Sequence, residues 1–254
     1  MSDRGEFTED GFLGGQLRLR QRKSGHRAGH DAVLLAAATP ARSGDRVVDL
    51  GAGVGAAGLA VARRVAGTKL VLVEIDDALA GLARDNAALN AIAADVVVLD
   101  VASAAAVFAA VGLSPDSADV VLTNPPFNDP ARHRASPDKA REMAHVASVA
   151  TLESWIGAAR RILKSGGVLT MIWRADGLAE VLAALGRGFG SFAILPIHAE
   201  PRMPAIRVLV RAIKGGKAPT QIYAALLLKD ESALPNKQVQ DILAGKGVLP
   251  LALP

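Results

Sequence analysis

Short apolar runs alternate with longer Ala-rich segments along this chain, and that alternation leaves few folds open to it. The runs at 46–50, 69–75, 95–99 and 119–123 are rich in Val and Leu without polar alternation, the pattern of strands buried on both faces. Between them, residues 56–65, 77–90 and 103–111 carry apolar side chains at helical spacing. Strand–helix–strand repeats of this kind require a mostly parallel sheet covered by helices on both faces. Further strands are expected at 168–173, 192–197 and 206–213, with a helix at 178–185 and another at 30–38, ending before Pro40. Residues 151–163 read as a helix closed by Lys164-Ser165-Gly166-Gly167, a C-cap sequence. Outside the repeat, residues 1–15 are polar, glycine-bearing and partly mobile, 17–22 form a short strand, 128–139 a polar loop, and 235–245 one short helix.

A chain of 254 residues suits one α/β domain with modest additions. With 50% hydrophobic and only 4% aromatic residues, its core must be built from Ala, Val and Leu. Cysteine is absent, which excludes disulfides, thiolate metal sites and a cysteine nucleophile. His26, His30, His133, His145 and His198 show no metal-ligand spacing, so no metal is expected. No stretch is long and charge-free enough to cross a membrane, and Met1-Ser2-Asp3-Arg4-Gly5-Glu6 is not a signal peptide, so a cytoplasmic protein is expected.

The first strand run enters a glycine-rich turn, Asp49-Leu50-Gly51-Ala52-Gly53-Val54-Gly55. Glycines let backbone approach a ligand closely, and the helix N-terminus behind them offers unpaired N–H groups. Glu74 closes the second run and so falls at the carboxyl edge of the sheet, where its carboxylate can accept from both ribose hydroxyls of a nucleoside. Gly51-x-Gly53-x-x-Ala56 followed by this acid also satisfies the dinucleotide fingerprint, so a nicotinamide-dependent oxidoreductase competes at this stage. Asn124-Pro125-Pro126-Phe127 sits where another strand ends. Two successive prolines remove two backbone donors, and the residue before a proline is pushed out of the helical region. The rim that remains has an amide side chain, bare carbonyls and an aromatic face, which suits a planar group bearing an NH₂.

A net charge of +4 is too small to imply a nucleic-acid partner, but its distribution says more. Arg18, Arg20, Arg22, Lys23 and Arg27 lie in an acid-free stretch, and on a strand the first three share one face. Arg202, Arg207, Arg211, Lys214 and Lys217 form a second set. Two such stretches flanking a nucleoside site favour phosphate contact.

Taken in order, Asp49-x-Gly51-x-Gly53-x-Gly55, Glu74, Asp100 after a third strand, Asn124-Pro125-Pro126-Phe127 and Lys164-Ser165-Gly166-Gly167 resemble the class I S-adenosylmethionine-dependent methyltransferases that act on amino nitrogens. Within that class, the segments from Gly25 to Leu35 and from Pro201 to Val210 resemble the bacterial tRNA adenine-N6 methyltransferases that modify adenine 37 of a valine tRNA. The likeness covers about Phe12 to Asp230. It implies a Rossmann-like seven-stranded sheet, mostly parallel with an antiparallel last strand. It also implies a substrate- and cofactor-covering extension at 1–40, a methyltransferase domain at 41–230 and a tail at 231–254.

The resemblance assigns roles to residues. Gly51, Gly53 and Gly55 would pass under S-adenosylmethionine, with Asp49 ordering the turn, Glu74 on the ribose, Asp100 on the adenine amino group, Val101 on the adenine face, and Arg27, Gly29 and Asp31 covering the methionine side. Asn124 and the Pro125 carbonyl would take the two N–H groups of the target amine, and Phe127 would stack on the flipped base. Arg18, Arg20, Arg22, Lys23, Arg132, Arg134 and Arg207 would contact the phosphates of a tRNA substrate. The protein would act as a monomer or weak homodimer, with no metal and no membrane. The tRNA enzymes often carry Tyr where this chain has Phe127. Asn-Pro-Pro-Phe also resembles ribosomal RNA guanine-N2 methyltransferases, and the Tyr form occurs in protein glutamine methyltransferases, because all three targets are conjugated NH₂ groups. A non-catalytic RNA-binding protein on the same fold is the remaining alternative.

Overall fold

The computed structural model describes residues 7–23, 27–126, 137–232 and 234–253. A central sheet is built in the order of the repeat. Strand β3 (Arg46–Leu50) is followed by helix α2 (Ala56–Arg64), β4 (Lys69–Glu74) by α3 (Asp77–Leu89), and β5 (Ala94–Val98) by α4 (Ala105–Ala110). Next come β6 (Ala118–Thr123), α5 (Pro137–Ile162), β7 (Leu163–Arg174), α6 (Leu178–Leu185), β8 (Phe189–His198) and β9 (Ala205–Lys214). The order across the sheet is β5-β4-β3-β6-β7-β9-β8. All neighbours are parallel except β9, which runs antiparallel to β7 and β8.

The chain winds one way from β3 to β5 and the other way from β6, so the topology reverses between β3 and β6. In such sheets the ligand crevice opens at the carboxyl ends of the strands flanking the reversal. Those ends are the glycine-rich turn on β3 and Asn124 on β6.

Both faces of the sheet are buried, as the unbroken Val and Leu runs require. Val47, Leu70, Leu72, Val120 and Leu122 pack with α2, α3 and a helix before the first strand unit, α1 (His30–Ala38). Val48, Val71, Val73, Val121 and Met171 face α4, α5 and α6, with Phe108 and Trp173 as the large buried aromatics. Burying each such side chain contributes about 1.5–3 kcal/mol.

Four expectations are corrected. The chain before Leu17 is not structureless: β1 (Phe7–Phe12) pairs antiparallel with β2 (Leu17–Arg22), and Phe7 and Phe12 pack against the core. The central sheet has nine strands rather than seven, because β10 (Gln221–Ile222) and β11 (Leu226–Leu227) add to β8. Two-residue pairings carry no period that a sequence could show. Helix α5 already includes Pro137, inside the expected loop. Lys164 to Gly167 is not a terminal cap; α5 passes directly into β7, and the register shift against β6 shows these residues bulging from the ladder, with Gly166 at φ +78°. The expected short helix in the tail is α7 (Lys237–Leu243), whose Val239 and Ile242 join the core beside α1.

Helix α2 packs against the sheet through Gly58. A Cβ there would meet Leu72 Cδ2 at 2.5 Å and the Asp49 carboxylate at 3.1 Å. Helix propensity alone favours Ala over Gly by about 1 kcal/mol. Leu72 is fully buried and can make room only at the expense of its own packing, so Gly58→Ala is expected to destabilise the fold by about 1–3 kcal/mol in chemical denaturation. A stabilised variant would refute this packing argument.

Candidate active site

The glycine turn has no functional side chains of its own, and its shape is imposed from outside. Gly51, Gly53 and Gly55 lie at φ +70°, +56° and +87°, conformations open to glycine at little cost. Gly51 N and Ala52 N both donate to Val73 O, at 2.8 and 2.9 Å. The Gly51 backbone packs so closely under the Trp155 ring that a Cβ there would lie 2.1 Å from it. At Gly53 nothing lies within 4 Å of where a Cβ would be, so open space stands above the middle of the turn.

Glu74, 7% exposed, braces this turn. Its Oε2 accepts from Gly53 N at 2.8 Å, and its Oε1 from Ile75 N and Asp76 N at 2.9 and 3.0 Å. Three of the roughly four acceptor positions of a carboxylate are thereby filled by backbone, and one on Oε2 is open among the described residues. Asp49 lies beneath the turn, where Oδ2 accepts from Gly58 N at 2.8 Å. The N-cap residue Gly55 has no side chain to cap α2, so this carboxylate satisfies a first-turn donor instead. Burial, reinforced by the nearby Glu74 charge and opposed by the Gly58 hydrogen bond, pushes Asp49 up to about 7.

At the end of β5, Asp100 is exposed and accepts from Ala102 N at 2.8 Å, while Val101 is buried. Leu99 N donates to Glu74 O, which places Asp100 beside the end of β4. Ile75 stands next to Glu74 with 63% of its surface exposed, an apolar wall that the sequence reading missed. The signal was the misplacement of a large apolar residue just past a strand's carboxyl end, visible only once the strand end was known.

Across the topological reversal, Thr123 Oγ1 donates to Leu50 O at 2.9 Å and locks the end of β6 to the start of the glycine turn. Asn124 follows, and its side-chain Oδ1 is buried with no hydrogen-bond partner among the described residues. Pro125 is buried and Pro126 exposed. Phe127, Arg132 and Arg134 lie outside the described residues.

The N-terminal candidates form a network of their own. Arg27 Nη2 meets Asp10 Oδ2 at 2.5 Å, and Gln21 Oε1 accepts from Ala28 N at 2.8 Å, so the β1–β2 hairpin holds the segment that leads to α1. Gly29 is the N-cap of α1, and Asp31 in its first turn pairs with Arg207 Nε of β9 at 3.0 Å. Arg18, Arg20 and Arg22 all point outward on β2. Arg18 and Arg20 pair with Glu9 and hold that carboxyl below its ordinary value. Arg20 also lies 3.8 Å from Asp85, and Arg22 lies 3.9 Å from Asp76. Lys23 is exposed. Exposed ion pairs of this kind contribute little, and a phosphate can displace the acid.

The site fits S-adenosylmethionine: open space above Gly53, a free acceptor on Glu74, and the exposed Asp100 and Ile75 form one continuous edge. Among the described residues no helix is long and apolar enough to cross a membrane, and no cluster of three or more His, Asp or Glu side chains is placed to hold a metal.

Asp49 makes stability depend on pH. The unfolded carboxyl releases its proton near 3.8 and the folded one near 7, so the folded state binds more protons between those values and loses stability as pH rises through that window. The unfolding free energies of the wild type and Asp49→Asn are expected to shift relative to one another by up to ~1.4 kcal/mol per pH unit from pH 4 to 7 and to run parallel above about pH 7. A pH-independent difference would contradict the shifted carboxyl.

Comparison with known proteins agrees with this geometry. The model of the methyltransferase small domain family matches residues 28–200. A tRNA1(Val) (adenine(37)-N6)-methyltransferase of Bacteroides thetaiotaomicron is 26% identical over 89% of this chain and 87% of its own length. The protein of the same name from Erwinia tasmaniensis is 29% identical over 79% of this chain and 80% of its own. Among solved structures, a predicted O-methyltransferase from Agrobacterium tumefaciens, Atu636, is 33% identical with a TM-score of 0.72, covering 86% of this chain and 98% of that one. The chain therefore belongs to the methyltransferase small domain family and is an S-adenosylmethionine-dependent methyltransferase.

Proposed function

We propose that this enzyme methylates the exocyclic N6 amine of adenine in tRNA, at adenine 37, in the cytoplasm. The observation that carries the reading is the buried Oδ1 of Asn124 at the topological reversal, which has no partner among the described residues. A buried acceptor without a donor costs about 1–3 kcal/mol, and an incoming N–H is the simplest group to relieve it. The Pro125 carbonyl, which belongs to a stretch with two N–H groups missing, is the second acceptor.

S-adenosylmethionine supplies an electrophilic methyl carbon on a sulfonium. The protein's task is alignment of nitrogen, methyl and sulfur. The braced turn fixes the donor side through Glu74 on the ribose, Asp100 on the adenine amine, and Ile75 and Val101 on the adenine face. Arg27, Gly29 and Asp31 lie on the methionine side. An exocyclic amine is a poor nucleophile because its lone pair is delocalised into the ring. Acceptance of both N–H groups by Asn124 and Pro125 favours tetrahedral geometry and stabilises the positive charge that develops on nitrogen. The methylated nitrogen then loses its proton readily and needs no strong base. A hydroxyl acceptor would need one, and the Asn124-Pro125-Pro126 rim offers acceptors without a titratable group, which favours the amine. Phe127 is assigned to stacking on the extruded base. The outward row Arg18, Arg20 and Arg22, with Lys23, Arg132, Arg134 and Arg207, is assigned to phosphates.

Asn124→Ala is expected to lower kcat by about a hundredfold or more while leaving S-adenosylhomocysteine affinity unchanged. Equal loss of both would make Asn124 structural. Methyl transfer to unmodified tRNA, ribosomal RNA and protein extract, with digestion to nucleosides, reads the acceptor directly. Label recovered as N6-methyladenosine from tRNA is expected. Recovery as N2-methylguanosine or in protein would keep the mechanism and replace the substrate.

For the hairpin, Ala at Arg18, Arg20 or Arg22 is expected to reduce the slope of log K against log salt for tRNA binding by about one each. Three unchanged slopes would remove β2 from the interface.

A further inference from the structure

Asn86 of α3 and Asn90, the C-cap of that helix, act as a strand partner for β2. Asn90 Oδ1 accepts from Arg18 N at 2.9 Å, and its Nδ2 donates to Arg18 O at 2.7 Å. One helical turn earlier, Asn86 Oδ1 accepts from Arg20 N at 2.7 Å and Nδ2 donates to Arg20 O at 3.1 Å. The match is geometric. Four residues of helix rise about 6 Å and two residues of strand about 6.6 Å, so amides at i and i+4 meet alternate residues of an extended chain. The edge of β2 away from β1 is thereby satisfied by side chains in place of backbone.

The two amides differ in their remaining bond. Asn90 uses its second donor on Asn86 O within its own helix, at 2.7 Å. Asn86 reaches out of the helix to Val54 O at 3.0 Å, in the glycine turn between Gly53 and Gly55. Asn86 is fully buried, and both of its N–H groups and its carbonyl are engaged. The same β2 residues continue to Gln21, whose Oε1 holds Ala28 N ahead of α1. One chain of hydrogen bonds and strand backbone therefore runs from the cofactor turn through Asn86 and β2 to the segment assigned to cover the methionine side.

We propose that Asn86 is a positioning residue for S-adenosylmethionine: it fixes the Val54 carbonyl, and with it the glycine turn, and couples that turn to the N-terminal hairpin. The inference rests on the cofactor reading of the turn. Asn90, which holds the hairpin and not the turn, is the internal control.

The test compares Asn86→Ala with Asn90→Ala by titration with S-adenosylhomocysteine, alongside thermal unfolding. Both variants lose hairpin bonds and are expected to melt lower. Only Asn86→Ala is expected to weaken binding, by about tenfold or more, since Val54 O is left without its donor. Its KM for S-adenosylmethionine should rise more than its kcat falls. Should Asn86→Ala fail to fold, amide exchange on the wild-type chain decides: saturation with S-adenosylhomocysteine is expected to slow exchange at Arg20 and Ala28. Equal affinities in the two variants, or β2 exchange unmoved by ligand, would overturn the coupling while leaving the cofactor reading intact. Failure of the wild-type chain to bind S-adenosylhomocysteine would overturn both.

Discussion

Bracing of the Gly51–Gly55 turn is the constraint on which the rest of this structure depends. A peptide rich in glycine at positive φ has no side chains to fix it and loses more conformational entropy on ordering than any other sequence. Here three elements supply the missing contacts. Glu74 at the end of β4 takes Gly53 N, Asn86 of α3 holds Val54 O, and Asp49 of β3 takes the first-turn donor of α2 at Gly58. Trp155 closes over Gly51 from the other face of the sheet. Each contact reaches the turn from a different part of the chain, so the turn takes its shape only when the domain is assembled.

The same economy explains the difference between the two halves of the site. Around the glycine turn, three acceptor positions on Glu74 are engaged by backbone N–H groups. Rigid donors and acceptors cost no reorganisation when a ligand arrives. At the end of β6 the strand is anchored by Thr123 on Leu50, and Asn124 Oδ1 has no hydrogen-bond partner among the described residues. A buried acceptor next to two prolines is a stored cost, and the proposed amine substrate is the group that would remove it. The shared anchor at Leu50 and Thr123 keeps the two halves in register, which in-line methyl transfer requires.

How much of this was legible differs from residue to residue. The parallel strands, and the placement of the glycine turn, Glu74 and Asn124 at their ends, could be read because unbroken apolar runs show where strands end. The hairpin strand β1, the two-residue strands β10 and β11, and the early start of α5 could not, since none has a hydrophobic period long enough to register. Arg18, Arg20 and Arg22 share one basic face, as their alternation along a strand requires, but Glu9, Asp85 and Asp76 come to meet them from elsewhere in the fold. Asp31 and Arg207 were singled out for separate tasks and are paired with each other across 176 positions of sequence. Asn86 and Asn90 drew no notice, because an asparagine in a helix has no distinguishing pattern until a strand edge lies beside it.

The sequence by itself determined the class of fold and set the glycine turn, Glu74 and Asn124 at strand ends, because these follow from local periodicity and from residues adjacent in the chain, whereas the cofactor followed from likeness to a family. Tertiary structure decided what each polar group does. Whether Glu74 is free or engaged, whether Asp49 holds its proton, and whether an arginine faces solvent or a carboxylate depend on burial and on partners brought in from distant segments. Hydrogen bonds and ion pairs act over a few ångströms, and only the folded chain sets which groups come that close.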